Sequence, residues 1–476
     1  MPGLRQVADQ MFSRASGARL YAGNRIRLLK DAAENYPAWL DAIHAARRTI
    51  HFEMYIVHED EQGQVFSDAL VEKARQGVRV RLLYDWLGGL GNTSRVFWNR
   101  LRDGGVEVRC YNPPRLDTPF GWVSRDHRKV IAVDGTVAFV TGLCVGQMWV
   151  GDPARHLDPW RDTGVEVCGP ALADIEAAFA DDWAVAGEPL AGEDAAPLAA
   201  LGEADSAGDV AMRVIATVPN TAGLFRVDQL VAALARHTLW LTDAYYAGTT
   251  PYVQALRAAA QDGVDVRLLV PGASDVSVLS PVSRAGYRPL LEAGVRVFEW
   301  NGSMLHAKTA VADAKWARVG STNLNLSSWV GNRELDVMVE DEPFAGKMED
   351  MYLEDLGNAT EIVLDARNRV RAPGSPPRGQ RATTSRGSGG RAVAGAFRIG
   401  STVSAAVTNR RVLQPVEGHI ALVAGMVLAI LALLAFKFPR GLAYPLAVLA
   451  AWISAALLLR GFTLLRERHR RGRVGR

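Results

Sequence analysis

The chain is predicted to be an α/β protein: two tandem domains related by a pseudo-twofold axis, with mixed, largely parallel sheets covered by helices, followed by a membrane-crossing helical hairpin. Three observations carry that expectation. The octapeptide pattern His127-x-Lys129-x4-Asp134 recurs 179 residues later as His306-x-Lys308-x4-Asp313. A helix–glycine–strand pattern recurs twice at a similar offset. Two uncharged apolar runs then close the chain.

Taken in order, residues 1–20 form an N-terminal tail and residues 21–200 a first domain. Within it, Thr49 to Ile56 alternates like a strand. Asp68 to Leu83 shows helical spacing that stops at Gly77 and passes into an alternating strand. Gln254 to Leu269 matches this segment without a gap, stopping at Gly263, and Thr238 to Tyr245 supplies the preceding strand. Leu101 to Val108, with Gly105, is matched by Leu290 to Val297, with Gly294. Strands alternating with helices imply βαβ crossovers, hence the parallel sheets. Residues 208–362 are the second domain, and the Ala-, Gly- and acid-rich stretch from Ala186 to Asp209 connects the two.

Composition changes after about residue 365. Residues 366–417, including the Arg/Gly/Ser/Pro stretch Arg371 to Arg391, have little to bury and are expected to be a disordered linker. Residues 418–460 hold two uncharged runs, Ile420 to Phe436 with 17 residues and Gly441 to Leu459 with 19. Each approaches the ~20 residues that cross a bilayer. Seven arginines from Arg460 onward, in and before the basic tail 461–476, place that tail in the cytoplasm by the positive-inside rule. Two spans put the catalytic domains on the same side.

The 476 residues carry a net charge of only +3, which argues against a bulk polyanion binder, and no nucleic-acid partner is expected. Three cysteines, Cys110, Cys144 and Cys168, lack CxxC spacing, so neither a disulfide framework nor a zinc site is expected. The N-terminus shows no continuous apolar h-region, consistent with a cytosolic catalytic part.

The paired motif has a chemical reading. One imidazole attacks phosphorus and a second protonates the departing oxygen. Lys129 and Lys308 neutralise the non-bridging oxygens, so no metal and no cofactor is required. This describes metal-independent phosphodiester cleavage or phosphatidyl transfer.

Further residues extend the pattern. His306, Lys308 and Asp313 are followed by Gly320-Ser321-Thr322-Asn323 and by Asn332-Arg333-Glu334. In the first half, Asp126-His127-Arg128-Lys129 leads to Val140-Thr141-Gly142-Leu143 and Trp160-Arg161-Asp162. Gly23-Asn24-Arg25, Leu28-Leu29 and a strand carrying Glu53 and Tyr55 come earlier. On these residues the chain resembles the phospholipase D superfamily, and within it the bacterial cardiolipin synthases, over about residues 20–365.

The resemblance implies a phosphohistidine at one motif histidine and acid–base work at the other: by analogy His127 is the nucleophile and His306 the acid/base. Asp162 and Glu334 match the positions that hold the second imidazole nitrogens. Lys129, Lys308 and Asn323, with Ser321 nearby, match the phosphoryl-binding positions. Asp134 and Asp313 belong to the motif, although turn organisation and pairing with a basic residue is the favoured reading for both. Phospholipid substrates, phosphatidylglycerol foremost, a bacterial inner-membrane location and glycerol release follow from the same resemblance. Hydrolysis to phosphatidic acid, or a catalytically weak protein that binds anionic lipid, are the alternatives. The residues do not specify an oligomeric state.

One departure stands out. Cys144 occupies the place where the family has asparagine, removing one amide donor. Removing such a donor costs roughly 10²–10³ in rate; the thiol itself reads best as a buried filler. Tryptophans such as Trp86, Trp98, Trp122 and Trp149 are candidates for a lipid entrance, with core packing the stronger expectation.

Overall fold

The computed structural model describes residues 4–115, 124–155, 157–190, 206–272, 286–364, 370–371 and scattered positions from 426 to 458. Two units are distinguished: residues 1–111 with 125–396, and residues 112–124 with 397–476.

The first unit is organised by one 16-stranded sheet among the described residues. Its first half contributes β1 (Tyr21–Lys30), β2 (Thr49–Met54), β3 (Arg79–Asp85), β4 (Glu107–Tyr111), β5 (Lys129–Val133), β6 (Val137–Thr141) and β7 (Thr163–Cys168). The second half contributes β8 (Val210–Thr217), β9 (Thr238–Thr242), β10 (Asp265–Pro271), β11 (Arg296–Trp300), β12 (Thr309–Ala312), β13 (Trp316–Gly320) and β14 (Glu334–Glu340). Two further strands, Ala359–Leu364 and Val370–Arg371, extend its far edge.

Each half runs in the same order outward from the centre: β1-β7-β6-β5-β2-β3-β4 and β8-β14-β13-β12-β9-β10-β11. They meet through antiparallel pairing of β1 with β8, the arrangement a twofold axis produces from equivalent strands. β8 is also paired with β14 over seven residues.

The expectation of largely parallel sheets needs correction. Only β2–β3–β4 and β9–β10–β11 are parallel, and the other strand pairings among the described residues are antiparallel. The reason is connection length. Helices Glu61–Arg75 and Thr250–Gln261 make the crossovers into β3 and β10. By contrast Asp134-Gly135-Thr136 is too short to return a chain parallel, so β5 and β6 form a hairpin. Gly77 and Gly263, read as helix stops, take φ of +89° and +93°, the left-handed turn that disfavours other residues.

Both sheet faces are covered. In β2, Ile50, Phe52 and Met54 pack with Trp39, Ile43 and Phe66. His51 and Glu53 face the other way, where His51 meets Glu176 and stacks on Phe179 of helix Leu172–Val185. A separate core of the second half includes Leu224, Leu256, Leu268 and Trp329.

The expected hairpin lies largely outside the described residues. Among the described residues, no helix is long and apolar enough to cross a membrane.

Candidate active site

In each half the motif histidine enters the middle of the sheet just before its strand, β5 for His127 and β12 for His306. Alternation along an extended chain puts the histidine and the lysine two residues later on one face. The two copies are then stitched together by the backbone. His127 N–H donates to the Arg333 carbonyl at 2.9 Å, and His306 N–H donates to the Arg161 carbonyl at 2.7 Å. Each histidine therefore hangs on a chain segment from the opposite half.

The side chains repeat that exchange. His127 Nδ1 lies 2.8 Å from Glu334 Oε2, and His306 Nδ1 lies 2.7 Å from Asp162 Oδ2. Both carboxylates come from the half that does not carry their histidine. Such a contact sets the imidazole tautomer with the proton on Nδ1 and leaves Nε2 free. Lys129 and Lys308, both buried, donate to the carbonyl of their own histidine, and Lys308 Nζ stands 3.0 Å from His306 Nδ1. A tyrosine accompanies each pair: Tyr55 packs edge-on to His127 at 4.8 Å and Tyr245 to His306 at 5.8 Å.

The carboxylates are held in turn. Ser321 Oγ donates to Glu334 Oε2 at 2.6 Å and Asn332 Nδ2 to Oε1 at 3.2 Å. Trp149 Nε1 donates to Asp162 Oδ2 at 3.0 Å and Thr163 N–H to Oδ1 at 2.9 Å. Where the second half has Ser321, the first has Gly142. A Cβ there would stand 2.2 Å from Asp162 Oδ1, so the short aspartate fits only over a glycine.

Electrostatics follow from burial. His127 is held well below the usual imidazole range by burial and then by Lys129, Lys308 and His306. His306 is lowered to about 4, by burial first and Lys308 next, against the opposing pull of Asp162. Burial also lowers Lys308 to about 8. Asp162 resists its own burial: His306, Lys308 and Trp149 together bring it below the ordinary carboxylate value. Glu334 is raised by burial. The site thus brings together two imidazoles held toward their neutral form and two buried lysines.

The remaining residues sort differently. Asn323 is buried with Oδ1 unpartnered. Cys144 is buried and burial raises its thiol, the opposite of an activated thiolate. Asp134 and Asp313 do not join the cluster. They end β5 and β12 at the opposite pole, where Asp134 accepts from the N–H groups of Arg47, Arg48 and Thr49. Asp313 accepts likewise from Arg236, His237 and Thr238. Both have positive φ, as turn residues do. Glu53 sits beneath the site with Asp126 and Asp182, each offering an oxygen within 4.8 Å of the others. Burial raises Glu53, and raises Asp126 to about 8, while Arg128 lies 3.0 Å from Asp182. That arrangement stores protons and guanidinium charge.

Several site residues were not singled out from sequence as parts of the cluster. Trp149 and Trp160 lie 5.7 and 5.6 Å from His306, whereas Trp98 stacks on Tyr84 in the core and Trp122 lies outside the described residues. Arg125, two residues before His127, was open to the same alternation argument as Lys129. Asp182, on a helix far along the chain, offered no local pattern.

Comparison with known proteins adds the family. Residues 39–145 and 231–356 match the family described as "Cardiolipin synthase, PLD-like domain". The chain is similar to cardiolipin synthase A of Pseudomonas aeruginosa, 37% identical over 355 residues covering 74% of this chain and 70% of that one. It is also similar to cardiolipin synthase of Alkalihalophilus pseudofirmus, 31% identical over 76% and 72% of the two chains. The fold is shared with phosphatidylserine synthase of Haemophilus influenzae, with a TM-score of 0.57, 14% identity, and coverage of 74% and 91%. With the crossed histidine–carboxylate pairs in one buried site, these matches establish that the chain belongs to the cardiolipin synthase family of PLD-like phosphatidyltransferases.

Proposed function

We propose that this site moves a phosphatidyl group between two phosphatidylglycerol molecules, with His127 as nucleophile and His306 as acid and then base. The observation that supports it is the pair of neutral imidazoles, each fixed by a carboxylate of the other half. His127 Nε2 attacks the phosphorus of one lipid. The bond to its head-group glycerol breaks, and that oxygen takes a proton from His306. Burial first and lysine charge second hold His306 neutral; a phosphodiester anion between Lys129 and Lys308 offsets the lysine charge, so His306 takes up that proton from water as substrate arrives. A hydroxyl of the second lipid then gives its proton to His306 and attacks phosphorus. The P–N bond breaks and cardiolipin leaves. The buried Asn323 side chain can offer its amide N–H groups as donors to the phosphoryl oxygens.

We further infer that residues 21–200 and 208–362 act as two halves of one catalytic body, tethered by residues 366–417 to a membrane hairpin at 418–460. The support is the pair of uncharged runs and their flanking arginines. Truncation after Asp365 should spare turnover of dispersed short-chain lipid and reduce turnover on vesicles.

The direct experiment supplies purified protein with phosphatidylglycerol and identifies products by mass. Cardiolipin with equimolar glycerol is expected. Phosphatidic acid alone would show that water is the acceptor, and no turnover would leave only lipid binding. His127→Ala and His306→Ala should each lose several orders of magnitude, because the two act as a unit; retention of more than about a tenth of the activity by either refutes the roles.

A further inference from the structure

Two residues before each motif histidine, the halves present different side chains on the same backbone position. The carbonyl of Arg125 accepts from Arg333 N–H at 2.8 Å, and that of Met304 accepts from Arg161 N–H at 2.9 Å. The positions are equivalent, yet one flank of the site carries a guanidinium and the other a thioether. Met304 clusters with Ala244, Tyr245 and Trp160, an apolar and aromatic flank beside His306. Arg125 lies on the flank of His127, whose imidazole feels its charge, and beside the Tyr55 hydroxyl.

Arg125 is also an electrostatic exception. Six arginines are buried among the described residues: Arg81, Arg125, Arg128, Arg161, Arg213 and Arg318. Five of them have an ion pair, with Glu107, Asp182, Asp355, Asp9 and Asp336 respectively. Among the described residues Arg125 has none within ion-pair distance, and its Nε and Nη1 lack a hydrogen-bond partner. The Tyr55 hydroxyl lies beside this guanidinium and interacts with it, and the Asp85 carboxylate adds its charge from farther away. A buried cation with no carboxylate in contact is costly, and an anion arriving to meet it lowers that cost. A guanidinium fork suits phosphate oxygens, and a phenol adds a further donor.

We propose that Arg125, with the Tyr55 hydroxyl, binds a second phosphodiester: the phosphate of the acceptor lipid, distinct from the one under attack. This rests on the phosphatidyl-transfer reading above and adds to it how the acceptor is chosen. In cardiolipin the two phosphates are joined through one glycerol, so an acceptor poised for attack must bring its own phosphate close to the reacting centre. The unlike flanks then share the work. Arg125 recognises the acceptor's charge, and the shelf of Met304, Trp160 and Tyr245 accommodates apolar parts of the phosphatidyl group.

The test compares two acceptors in one reaction mixture: phosphatidylglycerol itself and ethanol, which has no phosphate. The readout is the ratio of cardiolipin to phosphatidylethanol formed by the full-length protein and by Arg125→Met, which copies the second half. Because both products pass through the same intermediate, partial loss of folded protein cancels from the ratio. Loss of a charge-assisted contact should lower the ratio about 10- to 100-fold. An unchanged ratio overturns the proposal. If Arg125→Met forms no product, Arg125→Gln is read in the same way. Loss of both products in both variants also overturns it, because Arg125 would then serve every acceptor alike. A wild-type protein that makes phosphatidylethanol but no cardiolipin refutes the transfer reading itself and this proposal with it.

Discussion

Replacing Gly142 with alanine adds one methyl group to the site and tests how tightly Asp162 is held. The new Cβ would lie 2.2 Å from Asp162 Oδ1, 3.1 Å from Cγ and 3.3 Å from Oδ2. Ordinary contact begins near 3.4 Å, so the carboxylate must retreat by roughly 1 Å, and a misplacement of that size costs about 10²-fold in rate. Asp162 cannot retreat alone, because the same carboxylate holds His306, Trp149 and Thr163. Gly142 does not have a positive φ, so backbone strain adds nothing and the penalty falls on the carboxylate. The assay is steady-state turnover of phosphatidylglycerol with a thermal melt on the same sample. The expected outcome is a fall in kcat of about two orders of magnitude in a protein that still melts cooperatively. A Gly142→Ala variant that kept more than half of the wild-type kcat would refute the claim that Asp162 fixes His306 for catalysis.

Asp162→Asn and Glu334→Gln keep the shape but favour the wrong tautomer, and each should lower kcat by about 10³–10⁴, read from turnover at saturating lipid. Lys308, at about 8, makes the free enzyme lose an active-site charge in mild alkali, so kcat/KM should decline above about pH 8. Lys308→Met should be slow throughout and lack that limb. Asp126, raised to about 8 by burial, favours folding in its protonated form. Its contribution is fully present below the unfolded value near ~4 and is lost as pH rises through 8. Melting temperature should fall across that window in the wild type and fall less in Asp126→Asn.

Much of the site was legible because its chemistry is local. His and Lys two residues apart on an extended chain share a face whatever the fold, and the second copy showed that the pairing was a design of the whole chain. The helix-stopping glycines Gly77 and Gly263 were equally readable, because only glycine enters that turn without strain. Asp134 and Asp313 belong to the same octapeptides, yet strand length carries them to the far pole, where they order loops.

What the tertiary structure decided is who meets whom across the two halves. Asp162 and Glu334 were identifiable as partners, but their exchange between halves spans 144 and 207 residues, and no local pattern encodes a contact at that range. The mixed sheet followed from connection lengths around β5 and β6 that outweighed the βαβ pattern of the flanking segments. The lack of a contacting carboxylate at Arg125 was invisible for the same reason. A sequence shows that an arginine is present; only packing shows that, among the described residues, five buried arginines found carboxylates in contact and this one did not.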